Sequence, residues 1–172
     1  MGFTYNFPRP AVTTDTLVFR GGMECIEVLL IKRKKEPYKD FWAIPGGFLE
    51  IEETPIEGAK RELLEETSLD IKVLKEVGTF GDIDRDPRGR TITIVFYTFI
   101  KNGDQVAKAT SDAAEVKWFS VQDMPDMAFD HSEIFREGLL KLKSHIILAK
   151  LDIIDFFGLK INDLKKMFKC LD

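Results

Sequence analysis

Residues 11–19 are dense in valine and threonine, and beyond Arg20-Gly21-Gly22-Met23 a second apolar run covers 24–32. β-Branched side chains suit a pleated, half-buried surface and paired glycines suit a tight reversal, so the two runs predict a β-hairpin. The stretch 32–40 is charged and contains Pro37, which predicts a loop, and 41–49 predicts a short strand interrupted at Pro45-Gly46-Gly47. The clearest helix signal comes next. Thr54 as cap, Pro55 in the first turn and Glu57 three residues after the cap make a capping box, predicting a helix to about Thr67. Residues 71–80 and 91–101 predict further strands. In the second, Ile92, Ile94 and Phe96 alternate with Val95, Tyr97 and Phe99, so both faces are apolar and the strand belongs in the middle of a sheet. A short strand over 115–119 precedes a second helix, which opens at Asp130 with Glu133 and carries Ile134, Leu139 and Leu142 to about residue 145.

The expected fold class is therefore α/β (α+β), a mixed sheet flanked by helices, with a C-terminal helical tail. A main domain over 1–145 would be followed by a helical extension over 146–172, which is more basic and carries Leu164, Met167, Phe168 and Leu171 at helical spacing. At 172 residues, one domain plus an appendage is the natural partition. A 44% hydrophobic content with a net charge of only -4 belongs to a chain that folds unaided. The pI near 5.4 argues against a broad polyanion-binding surface, so nucleic acid is not an expected partner and an anionic substrate must be met by a few placed cations or by metal. Cys25 and Cys170 suggest neither a disulfide framework nor a zinc site, which makes a reducing, cytoplasmic setting the expectation. No apolar run approaches the ~20 residues of a membrane span, and no secretory leader pattern opens the chain.

The chemistry concentrates between Gly47 and Leu69. On a helix turning 100° per residue, Glu62 lies beside Glu65 and Glu66, so three carboxylates share one side, while Ile56, Ala59, Leu63 and Thr67 cover a side that can pack on the sheet. Crowded like charges destabilise an exposed helix by a few tenths of a kcal/mol per pair, so a neutralising group is implied. Oxygen-only ligands suit a hard divalent cation such as Mg²⁺ or Mn²⁺, which also binds phosphate. Glu-rich helices are nevertheless ordinary solvated surfaces, and the string alone does not decide.

The surrounding residues do. Gly47, five residues, Glu53, seven residues, Arg61-Glu62, an aliphatic Leu63, any residue, and Glu65-Glu66 resemble the signature box of the Nudix hydrolases. The resemblance implies a mixed sheet sandwiched between helices and hydrolysis of a diphosphate linkage. It makes Glu62, Glu65 and Glu66 the metal-binding acids, with the Gly46 carbonyl as an additional ligand. Arg61 and Glu53 become the ion pair that orients them, and Leu63 and Leu69 fill the aliphatic slots. One departure is Ser68, where the box has glycine; a serine forced to positive φ there costs about 1 kcal/mol and removes no ligand.

Asp84-Arg85-Asp86-Pro87-Arg88-Gly89-Arg90, together with segments at 8–12, 41–42, 111–114 and 128–131, resembles the ADP-ribose pyrophosphatase branch, extending the likeness to about residues 8–143. That implies ADP-ribose as substrate, cut to AMP and ribose 5-phosphate, and a homodimer. Arg88 and Arg90 would hold a phosphate or stack on a base, Arg33 would reach the diphosphate, and Phe41 or Trp42 would stack on adenine. Asp-Pro-Arg-Gly is also ordinary turn chemistry. The general base is Glu65, Asp104 or Asp112, and His131 reads as a helix-start residue. Two rivals stay open. One is an ADP-ribose-sensing transcriptional regulator, since 157–164 resembles the opening of a winged-helix segment; the other is a housecleaning hydrolase of other nucleotides.

Overall fold

The computed structural model describes residues 4–21, 25–101, 103–110 and 113–150. Among them seven strands form one sheet, built as β1 (Ala11–Gly21), β2 (Ile26–Arg33), β3 (Trp42–Ala43), β4 (Gly46–Phe48), β5 (Lys75–Phe80), β6 (Thr91–Ile100) and β7 (Ala113–Ser120), with helices α1 (Pro55–Thr67) and α2 (His131–Lys150). The main path runs β3-β2-β1-β6-β5, with β4 paired to β1 and β7 to β2. β1 and β6 are parallel over Ala11↔Thr91 to Arg20↔Ile100, and the other pairings are antiparallel, so the sheet is mixed as expected.

The period-two alternation of the central strands divides the core. Leu17 and Phe19 of β1 join Val95, Tyr97 and Phe99 of β6 beneath Ile134, Phe135, Leu142 and Ile146 of α2. Val18 and Phe96 point the other way, onto Ala59 and Leu63 of α1 with Leu69, Ile71 and Leu74. The sheet is thus sandwiched between two helices, and β6 is central because it must be apolar on both faces.

Several boundaries differ from expectation. The hairpin strands pair only near the turn, from Phe19↔Val28 to Gly21↔Ile26; further along, β1 turns to β4 and β2 to β3, while β7 lines the other edge of β2 from Glu27 to Arg33. The strand expected over 71–80 begins at Lys75, since Ile71 and Leu74 pack under α1 instead of joining the ladder. Helix α2 continues past residue 145 to Lys150, with Ile146 fully buried in the core. Ile56, expected on the packed side of α1, is exposed. Cys25, packed against the α2-side core, is disulfide-bonded, which the spacing of two cysteines gave no reason to expect. No helix among the described residues is long and apolar enough to cross a membrane. Of the extension expected over 146–172, residues 146–150 continue α2, and 151–172, with Leu164, Met167, Phe168 and Leu171, lie outside the described residues.

Candidate active site

Helix α1 is fixed at both ends by local chemistry. At its start the Glu57 carboxylate accepts from the Thr54 backbone N–H at 2.9 Å and from the Thr54 hydroxyl at 2.6 Å. At its end Ser68 adopts φ 60° and ψ 17°, and its N–H donates to the Leu64 carbonyl. This is the left-handed cap that favours glycine, occupied here by serine.

Between these ends Arg61 organises the acids. Its Nε and Nη2 donate to the two oxygens of Glu53 at 3.0 and 2.7 Å, its Nη1 to Glu62 at 2.8 Å and Glu65 at 3.2 Å, and Nη2 also to the Phe48 carbonyl at 3.1 Å. The fork therefore ties the helix to the loop before it. The hydrogen bond from Arg61 holds Glu53 below the usual carboxylate range, and the same bond raises Arg61. Glu62 shares that guanidinium yet is shifted upward, because burial outweighs its contact with Arg61.

The acids face the glycine strand. Glu66 accepts from the Gly46 N–H at 2.9 Å. A Cβ at Gly47 would stand 2.4 Å from the Glu62 carboxyl carbon, and one at Gly46 would stand 2.2 Å from the Thr14 carbonyl and 2.5 Å from Asp15 Oδ1. Side chains are excluded on both faces of this strand. Among the described residues no three acidic, histidine or cysteine groups close onto one point: Glu62 and Glu65 meet on Arg61, and Glu66 is held by Gly46. The trio is gathered along one strip of helix, with Glu65 the most exposed of the three.

Across the same glycines lies a cavity of about 100 Å³, whose lining includes Asp15, Arg33, Ile44, Gly46, Gly47, Phe48, Arg85, Arg88, Phe129 and His131. Two guanidiniums flank one ring at its mouth, Arg33 at 4.8 Å and Arg88 at 5.4 Å from the centre of Phe129. Burial, then the charge of Arg88, pulls Arg33 below the ordinary guanidinium range, so an anion between the two would relieve mutual repulsion. Arg88 is held by the buried Asp86, which accepts from its Nε and Nη2. Arg85 forms a two-bond ion pair with Asp130 at 2.7 and 2.8 Å, pinning this loop to the start of α2.

A family model described as the NUDIX domain matches residues 9–138. The chain belongs to the Nudix family. This Nudix chain is similar to an ADP-ribose pyrophosphatase of Methanocaldococcus jannaschii, 41% identical over 128 residues that make up 74% of this chain and 72% of the relative. It is also similar to the ADPR responsive transcriptional repressor NtrR of Acinetobacter baylyi, at 30% identity over 143 residues, 81% of this chain but only 57% of the repressor. Among solved structures, the NUDIX domain of Shewanella oneidensis NrtR complexed with ADP ribose has a TM-score of 0.73 at 27% identity, covering 79% of this chain and 90% of that one. A MutT/nudix family protein from Enterococcus faecalis gives 0.75 at 26% identity, covering 96% and 82%.

Of the residues singled out in the sequence, the Nudix fold brings Glu53, Arg61, Glu62, Glu65, Glu66 and Gly46 together, and it sets Arg33 and Arg88 on the cavity. Arg90 and Phe41 stand apart from it. Arg90 donates to the carbonyls of Asp82 and Thr91, and Phe41 packs edge-on against Tyr38, which in turn meets Phe129. Trp42 is partly buried, packed against the α2-side core and edge-on to Phe119. Asp104 is exposed, and Asp112 lies outside the described residues. Sequence reasoning missed Asp15, Phe129 and the lining role of His131. A lone carboxylate in a Val/Thr strand was the available signal for Asp15. Phe129 has φ 53°, unusual for a bulky residue and invisible in the sequence.

Proposed function

We propose that this Nudix chain hydrolyses the diphosphate linkage of ADP-ribose to AMP and ribose 5-phosphate, using Mg²⁺ or Mn²⁺. The observation that carries this reading is the shared wall: Gly46 and Gly47 separate the acidic strip of α1 from a cavity with two guanidiniums at its mouth. A diphosphate lying over that wall meets both. In this reading Glu62, Glu65, Glu66 and the Gly46 carbonyl hold the cation. These oxygen donors suit a hard divalent ion by type, and the absence of a Cβ at 47 leaves their side of the wall clear. When bound, the cation neutralises phosphate charge and favours attack by water at phosphorus.

The protein's own part is to hold and orient. Glu53 and Arg61 fix the helix against its loop, so the acids cannot drift from the wall. Arg33 and Arg88 bind the anionic oxygens, and Phe129 offers a ring between them. Arg90 and Phe41, also weighed as substrate contacts, would have to act from outside the cavity. Glu65, being the most exposed acid, is the proton acceptor in this reading, with Asp104 and Asp112 as rivals. Water adds across one P–O–P bond, its OH to one phosphorus and its remaining proton ultimately to the released phosphate.

The test incubates the protein with Mg²⁺ or Mn²⁺ and ADP-ribose, dinucleoside polyphosphates, oxidised nucleoside triphosphates and NADH, comparing kcat/KM and products. ADP-ribose is expected among the best substrates; poor turnover of it beside efficient cleavage of another compound removes the substrate assignment and leaves the reaction class. Glu66→Gln is expected to lose hydrolysis by orders of magnitude with the fold kept. The 30% identity with a repressor over 81% of this chain favours one second reading, an ADP-ribose sensor. Salt-dependent binding to duplex DNA without turnover would select it. A homodimer accompanies the enzyme reading, and sedimentation velocity tests it.

A further inference from the structure

The cavity floor holds a donor and an acceptor that the diphosphate reading leaves unused. His131 is buried, and its Nδ1 accepts the Ile44 backbone N–H at 3.0 Å. A nitrogen that accepts must keep its lone pair, so the ring proton sits on Nε2. That atom lies 4.0 Å from Oδ1 of Asp15, too far for a direct hydrogen bond. Asp15 is buried as well, and its other oxygen takes the Thr93 hydroxyl. Asp15 sits on β1 opposite Gly46, while His131 opens α2, so the sheet and the second helix supply one half each. Both line the cavity that Arg33 and Arg88 overlook.

We propose that Asp15 and His131 form a hydroxyl-reading subsite, in which one sugar hydroxyl of the substrate accepts from His131 Nε2–H and donates to Asp15 Oδ1. An oxygen about 2.8 Å from each, an ordinary hydrogen-bond length, subtends roughly 90° between two atoms 4.0 Å apart. Only a group that both accepts and donates satisfies the pair. A phosphate oxygen would meet the acidic side chain of Asp15, and a methylene would leave two buried polar groups unpaired. The division of labour is then chemical: arginines at the mouth take the anionic oxygens, and this pair takes a neutral sugar oxygen and rejects a phosphorylated one. Burial disfavours the charged form of His131, which keeps the ring neutral and its single Nε2 proton in place. The inference rests on the reading that ADP-ribose or a close relative occupies the cavity.

The test measures binding by calorimetry without added metal, and turnover separately with Mg²⁺. The probes are ADP-ribose, its deoxy analogues at each ribose, and its 2′-phosphate. For the wild type, one deoxy analogue is expected to bind at least about tenfold more weakly than the parent, the usual consequence of stranding buried polar groups. In Asp15→Asn that same analogue should lose little relative to the parent, and any penalty against the phosphorylated compound should shrink. His131→Gln serves as the second variant, with melting curves to establish that both fold. Equal binding of every deoxy analogue by the wild type overturns the proposal, as does an unchanged parent-to-analogue ratio in a folded Asp15→Asn, and so does failure of ADP-ribose to bind at all. Discrimination in binding with no hydrolysis under any metal keeps the subsite and removes the enzyme reading instead.

Discussion

Replacing Arg61 by glutamine removes the one side chain that ties Glu53, Glu62, Glu65 and the Phe48 carbonyl together. The side chains of Arg61, Glu53 and Glu62 retain 25%, 13% and 16% of their exposure, so the pairs are partly rather than fully desolvated. Breaking a fully buried pair costs about 3–5 kcal/mol and an exposed one at most about 1, which places this substitution at about 2–3 kcal/mol. For a chain of this length that lowers Tm by roughly 5–10 °C. Glu62 loses the contact that opposes its burial and its proton affinity climbs further. The cost lies in stranding a carboxylate, so Arg61→Gln combined with Glu53→Gln should be less destabilising than the sum of the singles. Urea unfolding of the four proteins measures the coupling. Additive losses, or an Arg61→Gln variant melting within a degree of wild type, would refute the assignment of Arg61 as the clasp between helix and loop.

Gly46→Ala would drive a Cβ into the Thr14 carbonyl and break the β1–β4 pairing, so the variant is expected to unfold at much lower urea. Gly47→Ala meets only the end of the Glu62 side chain; the fold should survive while metal-dependent hydrolysis collapses, and calorimetry with Mn²⁺ separates the two outcomes. Ser68→Gly relieves a left-handed serine and should raise stability by about 1 kcal/mol, read as a Tm higher by a few degrees. Asp86 is buried, which by itself raises its pKa, yet the Arg88 hydrogen bonds prevail and hold it below the ordinary value. Its contribution is therefore present above the unfolded pKa near 3.8 and lost as pH falls through the depressed folded one; the Tm gap between wild type and Asp86→Asn should be wide at neutral pH and close in acid.

What could be read in the chain was whatever local rules govern. Helix α1 was legible to the residue because its cap, capping box and proline all act within one turn, and the strain at Ser68 followed from the same reasoning. The Glu53–Arg61 pair lies eight residues apart on adjoining loop and helix, and it was the resemblance to the Nudix box that implied it. β6 declared itself by being apolar on both faces. The misreadings share another cause. Residues 71–74 have strand-like composition, but Ile71 and Leu74 gain more by covering α1 than by extending a ladder. Phe41 and Arg90 are a different matter: they stand as proposed substrate contacts, and the path of the loops adds only that Tyr38 and the Asp82 carbonyl engage them. Asp15 and His131 stand 116 positions apart in the chain, and no local pattern announces that a β1 carboxylate and the first residue of α2 will share a cavity.

That convergence follows from the period of the strands. On β1, Asp15 shares its face with Leu17 and Phe19, which carry α2, whereas Val18 faces α1. The paired strand β4 alternates in the same way: the missing side chain of Gly46 would point at Asp15, and that of Gly47 at Glu62. Two consecutive glycines are therefore needed for two different reasons, one to admit the cavity floor and one to admit the acids. A shift of register by one residue would exchange the two faces, turning Asp15 toward α1 and bringing Thr14 or Thr16 to the cavity in its place. The register Thr13↔Phe48, Thr14↔Gly47, Asp15↔Gly46 is what keeps the acidic strip and the Asp15–His131 pair on opposite sides of one strand, a single pair of glycines apart.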